Sequence, residues 1–348
     1  MSNELQSLRV AAVQLSPEVG NVDANLEKSR DLIREALAAG ARCVVLPEFF
    51  TTGMAFDDVM LDGHRPLDGE PMQLLIEQAR EGDAMVGGSF LAEHKGHVRN
   101  TFVLACNDGQ VFTHDKDFPS GPQESAYYAG GEDAEFVSLL KESGVAVDGD
   151  CIPNREHNAT DGVFELPNIN VGAALCWETI RNRTVARALG RIDLLFAGLA
   201  WPDIDPDVGF AGMSRNEIIA FNAYLAETLE SAPKHLAQML GVPVIQANLV
   251  GPQRSTKLFD QPMEYVFRML GESKIVSSEG KTVAHRRGAE GEGVLIADLE
   301  LGKATPTGPT NDFWIPDVHP VLKELWYNQG AAGRQYYLHT TCPHRDKK

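Results

Sequence analysis

Positive charge is scarce in this sequence: 31 Lys and Arg stand against 49 Asp and Glu, a formal net charge of −18 over 348 residues. Such a chain repels nucleic-acid phosphates and anionic membrane faces, so neither is expected as a partner. Long apolar runs are missing too. Leu194 to Trp201 and Val171 to Trp177 fall well short of the roughly 18 residues that span a bilayer. Residues Met1 to Arg9 carry Glu4, have no basic leader and run into Val10–Val13, too short for a signal core. A cytoplasmic location is therefore expected. Cysteine is sparse, odd in number and scattered at Cys43, Cys106, Cys151, Cys176 and Cys342, with no Cys-x-x-Cys pair. That argues against a disulfide framework or a zinc ribbon.

What is present is ordinary globular composition, 43% hydrophobic and 23% charged, without a repeat, a low-complexity tract or a Pro/Ser linker. One domain over residues 1–310 is expected, with a tail over 311–348 whose aromatics, Phe313 to Tyr337, pack on something, plausibly a second subunit. Leu8 to Leu15 reads as a strand. A helix with Leu26, Ile33 and Leu37 on one face opens at Asn21 and stops at Gly40, and Cys43–Leu46 is a buried strand ended by Pro47. Helical spacing recurs over Glu70–Glu81, Thr179–Leu189 and Asn216–Leu240, the last interrupted or restarted by Pro233.

Strands are expected at Ala84–Gly88, Val163–Leu166, Ile169–Leu175, Leu194–Ala197 and Val244–Ala247. Asn107-Asp108-Gly109 joins Thr101–Ala105 to Gln110–Thr113 as a hairpin, and Glu279-Gly280 lies between Lys274–Ser277 and Gly293–Ala297 as a second. His114–Glu135 reads as a long irregular segment, and such loops are commonly functional. Gly144–Gly162 reads as a surface insertion. Helices alternating with single strands and hairpins point to an α/β protein with mixed sheets layered α-β-β-α.

Strand ends in such proteins face crevices, and three carry reactive side chains. Glu48 follows Val44–Pro47, Lys116 follows the strand ending at Thr113, and Cys176 follows Val171–Leu175. A cysteine where a strand passes into a helix gains thiolate character from the helix N-terminus and from a neighbouring lysine. Each residue alone reads equally as a buried hydrophobe, a helix cap or a solvated cation. Gly87-Gly88-Ser89-Phe90 lacks the serine-elbow pattern, Gly288–Gly293 is acidic and precedes a strand where a nucleotide loop opens a helix, and Cys342-Pro343-His344 is a single metal-ligand pair at a polar terminus.

Taken together, Leu46-Pro47-Glu48, Lys116 and Leu175-Cys176-Trp177-Glu178 resemble the Glu, Lys and Cys motifs of the nitrilase superfamily of carbon-nitrogen hydrolases. The resemblance extends over Arg9–Gln14, Glu124 with Tyr128 and Gly130, Gln246-Ala247-Asn248 with Gly251, and Gly271-Glu272-Ser273. It implies a four-layer α-β-β-α sandwich, commonly paired into a homodimer, no cofactor and no metal. It also implies Cys176 as nucleophile, Glu48 as general base and acid, Lys116 as oxyanion partner, and Glu124 as a second carboxylate at the site.

Trp177, Trp201, Phe49, Tyr127 and Tyr128 are candidates for the wall of a pocket taking a small-molecule amide or nitrile, since aromatic walls suit organic acyl groups; core packing is the other reading of each. Trp177-Glu178 looks nitrilase-like, while Thr179-Ile180-Arg181 and Val185-Ala186-Arg187 look amidase-like. Amide hydrolysis is the expectation, nitrile hydrolysis the alternative, and a catalytically silent binding module the alternative of another class.

Overall fold

The computed structural model describes residues 7–94, 96–147, 161–207, 213–310, 312–315 and 318–347. Most of the expected insertion, residues 148–160, and Cys151 lie outside the described residues.

The first sheet contains β1 (Ser7–Gln14), β2 (Cys43–Val45), the short β3 (Arg65–Pro66), β4 (Met85–His94), β5 (His97–Ala105) and β6 (Val111–Asp115). The second contains β7 (Val163–Glu165), β8 (Asn170–Leu175) and β9 (Leu194–Leu199), with β11, β14 and β15 further along the chain (Val244–Asn248, Ser273–Val276 and Thr282–Arg286). A small third sheet joins β10 (Pro202–Ile204), β12 (Val250–Leu258) and β13 (Gln261–Leu270). The last strand, β16 (Gly293–Glu300), returns to the first sheet and pairs antiparallel with β1.

Period-two alternation explains why the two large sheets stack. On β1, Val10 and Ala12 join one buried cluster and Ala11 and Val13 another; on β2, Cys43 and Val45 divide from Val44 in the same way. The first-named side chains meet Phe164, Val171, Leu175, Phe196 and Ile245 of the second sheet, forming a core between the sheets. The opposite faces are covered by α1 (Val22–Ala38) and α2 (Glu70–Glu81) on the first sheet, and on the second by α5 (Asn182–Ala188) and α6 (Arg215–Leu240). This is the expected α-β-β-α sandwich. Near the end where β2 stops, Gly198 brings the sheets close: a Cβ there would lie 3.1 Å from the Glu48 nitrogen and 3.2 Å from the Leu46 carbonyl oxygen.

Several expectations need correction. His114–Glu135 is not wholly irregular: Pro122 opens α3 (Pro122–Tyr127), and α4 (Asp133–Glu142) begins inside it. Thr179–Leu189 is not one helix but a tight turn over Cys176–Ile180 followed by α5. Pro233 neither interrupts nor restarts α6, which is continuous for 26 residues. Proline withdraws one backbone donor, and the hydroxyls of Thr228 and Ser231 bond carbonyls in the turns before it.

Lys274–Ser277 does turn at Glu279-Gly280, but its partner is β15, because Gly293–Glu300 has the longer register on β1. The β12–β13 hairpin carries little period-two signal, since Pro252, Arg254 and Lys257 interrupt it. The tail, read as aperiodic, forms α7 (Pro320–Tyr336) and a further turn through Arg345. It packs on α3 of its own chain, burying Trp326, Tyr336 and Tyr337. Among the described residues no helix is long and apolar enough to cross a membrane.

Candidate active site

Glu48, Lys116 and Cys176 leave strands β2, β6 and β8 at one end of the sandwich, and the fold brings them together. Lys116 Nζ donates to Glu48 Oε1 at 2.7 Å and to Glu124 Oε2 at 2.7 Å. A carboxylate oxygen of Glu48, one of Glu124 and the Cys176 sulfur all lie within 4.8 Å of one another. A cluster of two carboxylates and a thiol is also a possible cation site, but here the ammonium of Lys116 already stands among them.

Each side chain is held from its own element. The Glu48 turn is pinned by the N–H of Phe50 to the Ser89 carbonyl at 3.1 Å, with Phe49 at φ +53°. Lys116 prolongs its strand by one further bond, from its N–H to the Asn100 carbonyl at 2.9 Å. The Asn100 side chain donates to Glu48 Oε1 at 2.8 Å. Glu48 Oε1 thus has two donors, whereas Oε2 is buried without any partner. That oxygen is free to accept a proton. Glu124 Oε2 also receives the backbone N–H of Ser120 at 2.8 Å and the Tyr128 hydroxyl.

Cys176 has φ +47°, a conformation uncommon for a side chain larger than glycine. Glu178 holds it there: its carboxylate accepts the N–H of Leu175 at 2.8 Å and of Asp117 at 3.0 Å, and contacts His114 Nε2 at 3.1 Å. Arg187 bonds Asp117 at 2.8 and 2.9 Å and lies 3.4 Å from Glu178. This buried network ties the lysine segment to the cysteine turn. His114, Asn100, Ser120 and Arg187 are thus site residues that the sequence reading passed over, and Glu178, read there only as part of the Cys motif, is the group that holds the turn. The one available signal was Glu178, three residues after the strand's last residue, where a carboxylate can bond back to the backbone.

Burial pushes the Glu48 carboxyl up to about 8 despite the lowering effect of Lys116. Burial and then the neighbouring Glu48 charge push the Cys176 thiol well above its usual range, with Lys116 opposing them. Burial lowers the Lys116 ammonium, but Glu124 and Glu48 outweigh it and the net shift is upward. The resting site therefore holds a protonated thiol beside a carboxyl close to its own titration point. For Glu178 burial is likewise outweighed, by His114 and Arg187, and the carboxyl sits well below the usual range.

A space of about 100 Å³ opens in front of Cys176. Trp177 and Trp201 line it. Phe49, Tyr127 and Tyr128 are not among its described lining residues: Phe49 packs on Tyr128, Tyr128 bonds Glu124, and the Tyr127 hydroxyl bonds the Asp57 backbone. The α7 residues Leu322, Leu325 and Trp326 complete the wall, so the tail belongs to the pocket.

The carbon-nitrogen hydrolase family model matches residues 9–308. The chain belongs to the carbon-nitrogen hydrolase family. Among curated relatives, an aliphatic nitrilase of Rhodococcus rhodochrous is 21% identical over 90% of this chain and 81% of its own. The omega-amidase NIT2 of Danio rerio is 35% identical over 32% of this chain and 40% of its own, and a nitrilase of Pyrococcus abyssi is 38% identical over 26% and 36%. These two local matches span less than half of either relative.

Among solved structures, a carbon-nitrogen hydrolase of Helicobacter pylori G27 superposes with a TM-score of 0.62 at 17% identity, over 85% of this chain and 90% of that one. A cysteine-to-alanine mutant of the amidase of Nesterenkonia sp. AN1 in complex with butyramide gives 0.57 at 18%, over 84% and 91%. At such identity the likeness shows the fold.

Proposed function

We propose that the chain hydrolyses a non-peptide carbon-nitrogen bond, an amide of a small organic acid, through a thioester on Cys176. The observation that carries this reading is the unpartnered Glu48 oxygen beside a thiol and an ammonium. Glu48 takes the thiol proton as the sulfur attacks the carbonyl carbon, and Lys116 with the Trp177 N–H holds the oxyanion. The C–N bond then breaks, Glu48 returns the proton to nitrogen, and ammonia or an amine leaves. Water attacks the thioester with Glu48 again taking a proton; the acid departs and the thiol is restored. Glu124 fixes Lys116 and borders the acyl group.

Nitrile hydrolysis is the second reading, supported by Trp177-Glu178 after the nucleophile. Attack on the nitrile carbon gives a thioimidate, which water converts to the same thioester with loss of ammonia. Purified protein incubated with butyramide, N-methylbutyramide and butyronitrile separates the readings. Ammonia from the first and methylamine from the second are expected, and Cys176→Ala abolishes both. Activity on the nitrile alone reverses the order, and activity that survives Cys176→Ala removes both.

A further inference from the structure

The pocket in front of Cys176 has a definite chemistry. Ser120, Glu124 and Cys176 supply polar groups, and among its described lining residues there is no Lys, Arg or His. Trp201 adds a buried indole N–H without a hydrogen-bond partner; the rest of the wall is apolar, and much of it comes from three separate elements. The third sheet contributes Ile204, Phe267 and Met269. Helix α6 contributes Phe221 and Leu225, both buried. Helix α7 closes the remaining side, and Trp326 is fixed in place by its indole N–H to the Pro119 carbonyl at 2.8 Å.

Resting on the acyl-transfer reading above, we propose that the acyl half of the substrate is a short, uncharged aliphatic group of about three or four carbons. Size favours a small group. The space of about 100 Å³ is smaller than the roughly 150 Å³ cavity that admits benzene, and a water-sized group takes about 30 Å³. A butyryl chain therefore suits this space better than an aryl ring does.

Charge sets the second limit. A carboxylate on the far end of the acyl chain would be stripped of water among Leu, Met and Trp side chains with no cation among the described lining residues to receive it, the buried Arg181 guanidinium standing against the Trp326 ring rather than in the lining. Lys116 already serves Glu48 and Glu124, and the Glu124 charge itself repels a second anion. An apolar acyl group meets neither cost and gains contact with every wall.

The test compares butyramide, benzamide and succinamate, together with butyronitrile, benzonitrile and 3-cyanopropanoate, by kcat/KM for ammonia release. The acyl ranking is then independent of which carbon-nitrogen bond is cut. The butyryl compounds are expected to exceed the benzoyl and succinyl ones by about tenfold or more. A benzoyl or succinyl compound that equals or exceeds its butyryl counterpart overturns the proposal.

Leu322→Ala enlarges the pocket and is expected to raise the benzoyl-to-butyryl ratio; Leu225→Ala, on a different helix, serves if the first variant does not fold. An unchanged ratio in a folded variant counts against the assigned wall. Trapping with hydroxylamine separates the two levels of failure. If no compound acylates Cys176, the acyl-transfer reading falls and this one with it; if benzoyl or succinyl acylates in preference to butyryl, only the choice of acyl group is wrong.

Discussion

The carboxylate of Glu178 accepts the backbone N–H of Leu175 at 2.8 Å and so clamps the turn in which Cys176 stands at φ +47°. The same carboxylate reaches the N–H of Asp117, next to Lys116. One buried group thus holds the chain beside both Cys176 and Lys116. Removing it leaves His114 and Arg187 without their shared partner in a buried site, a loss of the kind that costs about 3–5 kcal/mol. Glu178→Ala is expected to lower the unfolding free energy by that amount. Because Glu178 is held below the carboxylate range in the folded chain, its contribution is present above its unfolded value, about 4.3, and is lost progressively as pH falls from there through its folded value. Denaturant unfolding of wild type and Glu178→Ala at pH 7 and about pH 3 checks this: the gap between them should narrow at the lower pH, and a constant gap refutes the account.

In the proposed mechanism Glu48 is the group whose ionisation gates thiol activation. With its carboxyl near 8, the fraction able to accept a proton grows as pH rises from 6 to 8. The acylation rate, read as kcat/KM, should climb through that window and level about one pH unit above it. Glu48→Gln keeps the amide contact to Asn100 and Lys116 within reach but cannot take a proton, so a loss of about 10²–10⁴ is expected. A pH–rate profile settles the matter; a flat wild-type profile between 6 and 8 removes Glu48 from the role.

Thiol reactivity distinguishes Cys176 from the other described cysteines. Cys43 and Cys106 are buried in the core between the sheets, the latter pushed up to about 11 by burial. Cys342 is partly exposed, with burial raising it. Only Cys176, among these four, has an acceptor carboxylate and an ammonium beside it. Iodoacetamide at pH 8 should modify Cys176 first and abolish activity in step, by peptide mapping, and Glu48→Gln should slow that modification. Prior loss of Cys342 with activity intact would count against the proposed nucleophile.

The strand–helix–strand opening was legible because its signals are local: Asn21 caps α1 with its side chain on the Ala24 N–H, and apolar residues fall on one face. Glu48, Lys116 and Cys176 were legible as residues at strand ends. Their convergence was not, since 68 residues separate Glu48 from Lys116 along the chain and only sheet stacking joins them. The tail helix was hidden because Gly330 and Gly333 lie inside it and its aromatics point to several partners, so no single face repeats. Glu178 was read for its resemblance to one branch of the family, while its clamp on Leu175 and Asp117 depends on a strand from another part of the chain.

Arg181 offers the sharpest stability test. Its guanidinium is fully buried, none of its three nitrogens has a hydrogen-bond partner, and it lies 4.9 to 5.7 Å from the rings of Phe118, Phe313, Trp314 and Trp326. Ring faces favour a desolvated cation by about 2 kcal/mol or more. Against this, burial pulls the group down to about 10 even with Asp117 and Glu178 opposing, a cost of roughly 3 kcal/mol. Orphaned buried donors add about 1–3 kcal/mol each. The costs win. Arg181→Met, which keeps most of the volume among the same rings, should therefore raise the unfolding free energy by about 1–4 kcal/mol, whereas Arg181→Ala should lower it by opening a cavity under Trp326. Thermal unfolding of the two variants beside wild type decides: a lower Tm for Arg181→Met means that the ring contacts outweigh desolvation, and that this arginine fastens α7 to the pocket by its charge.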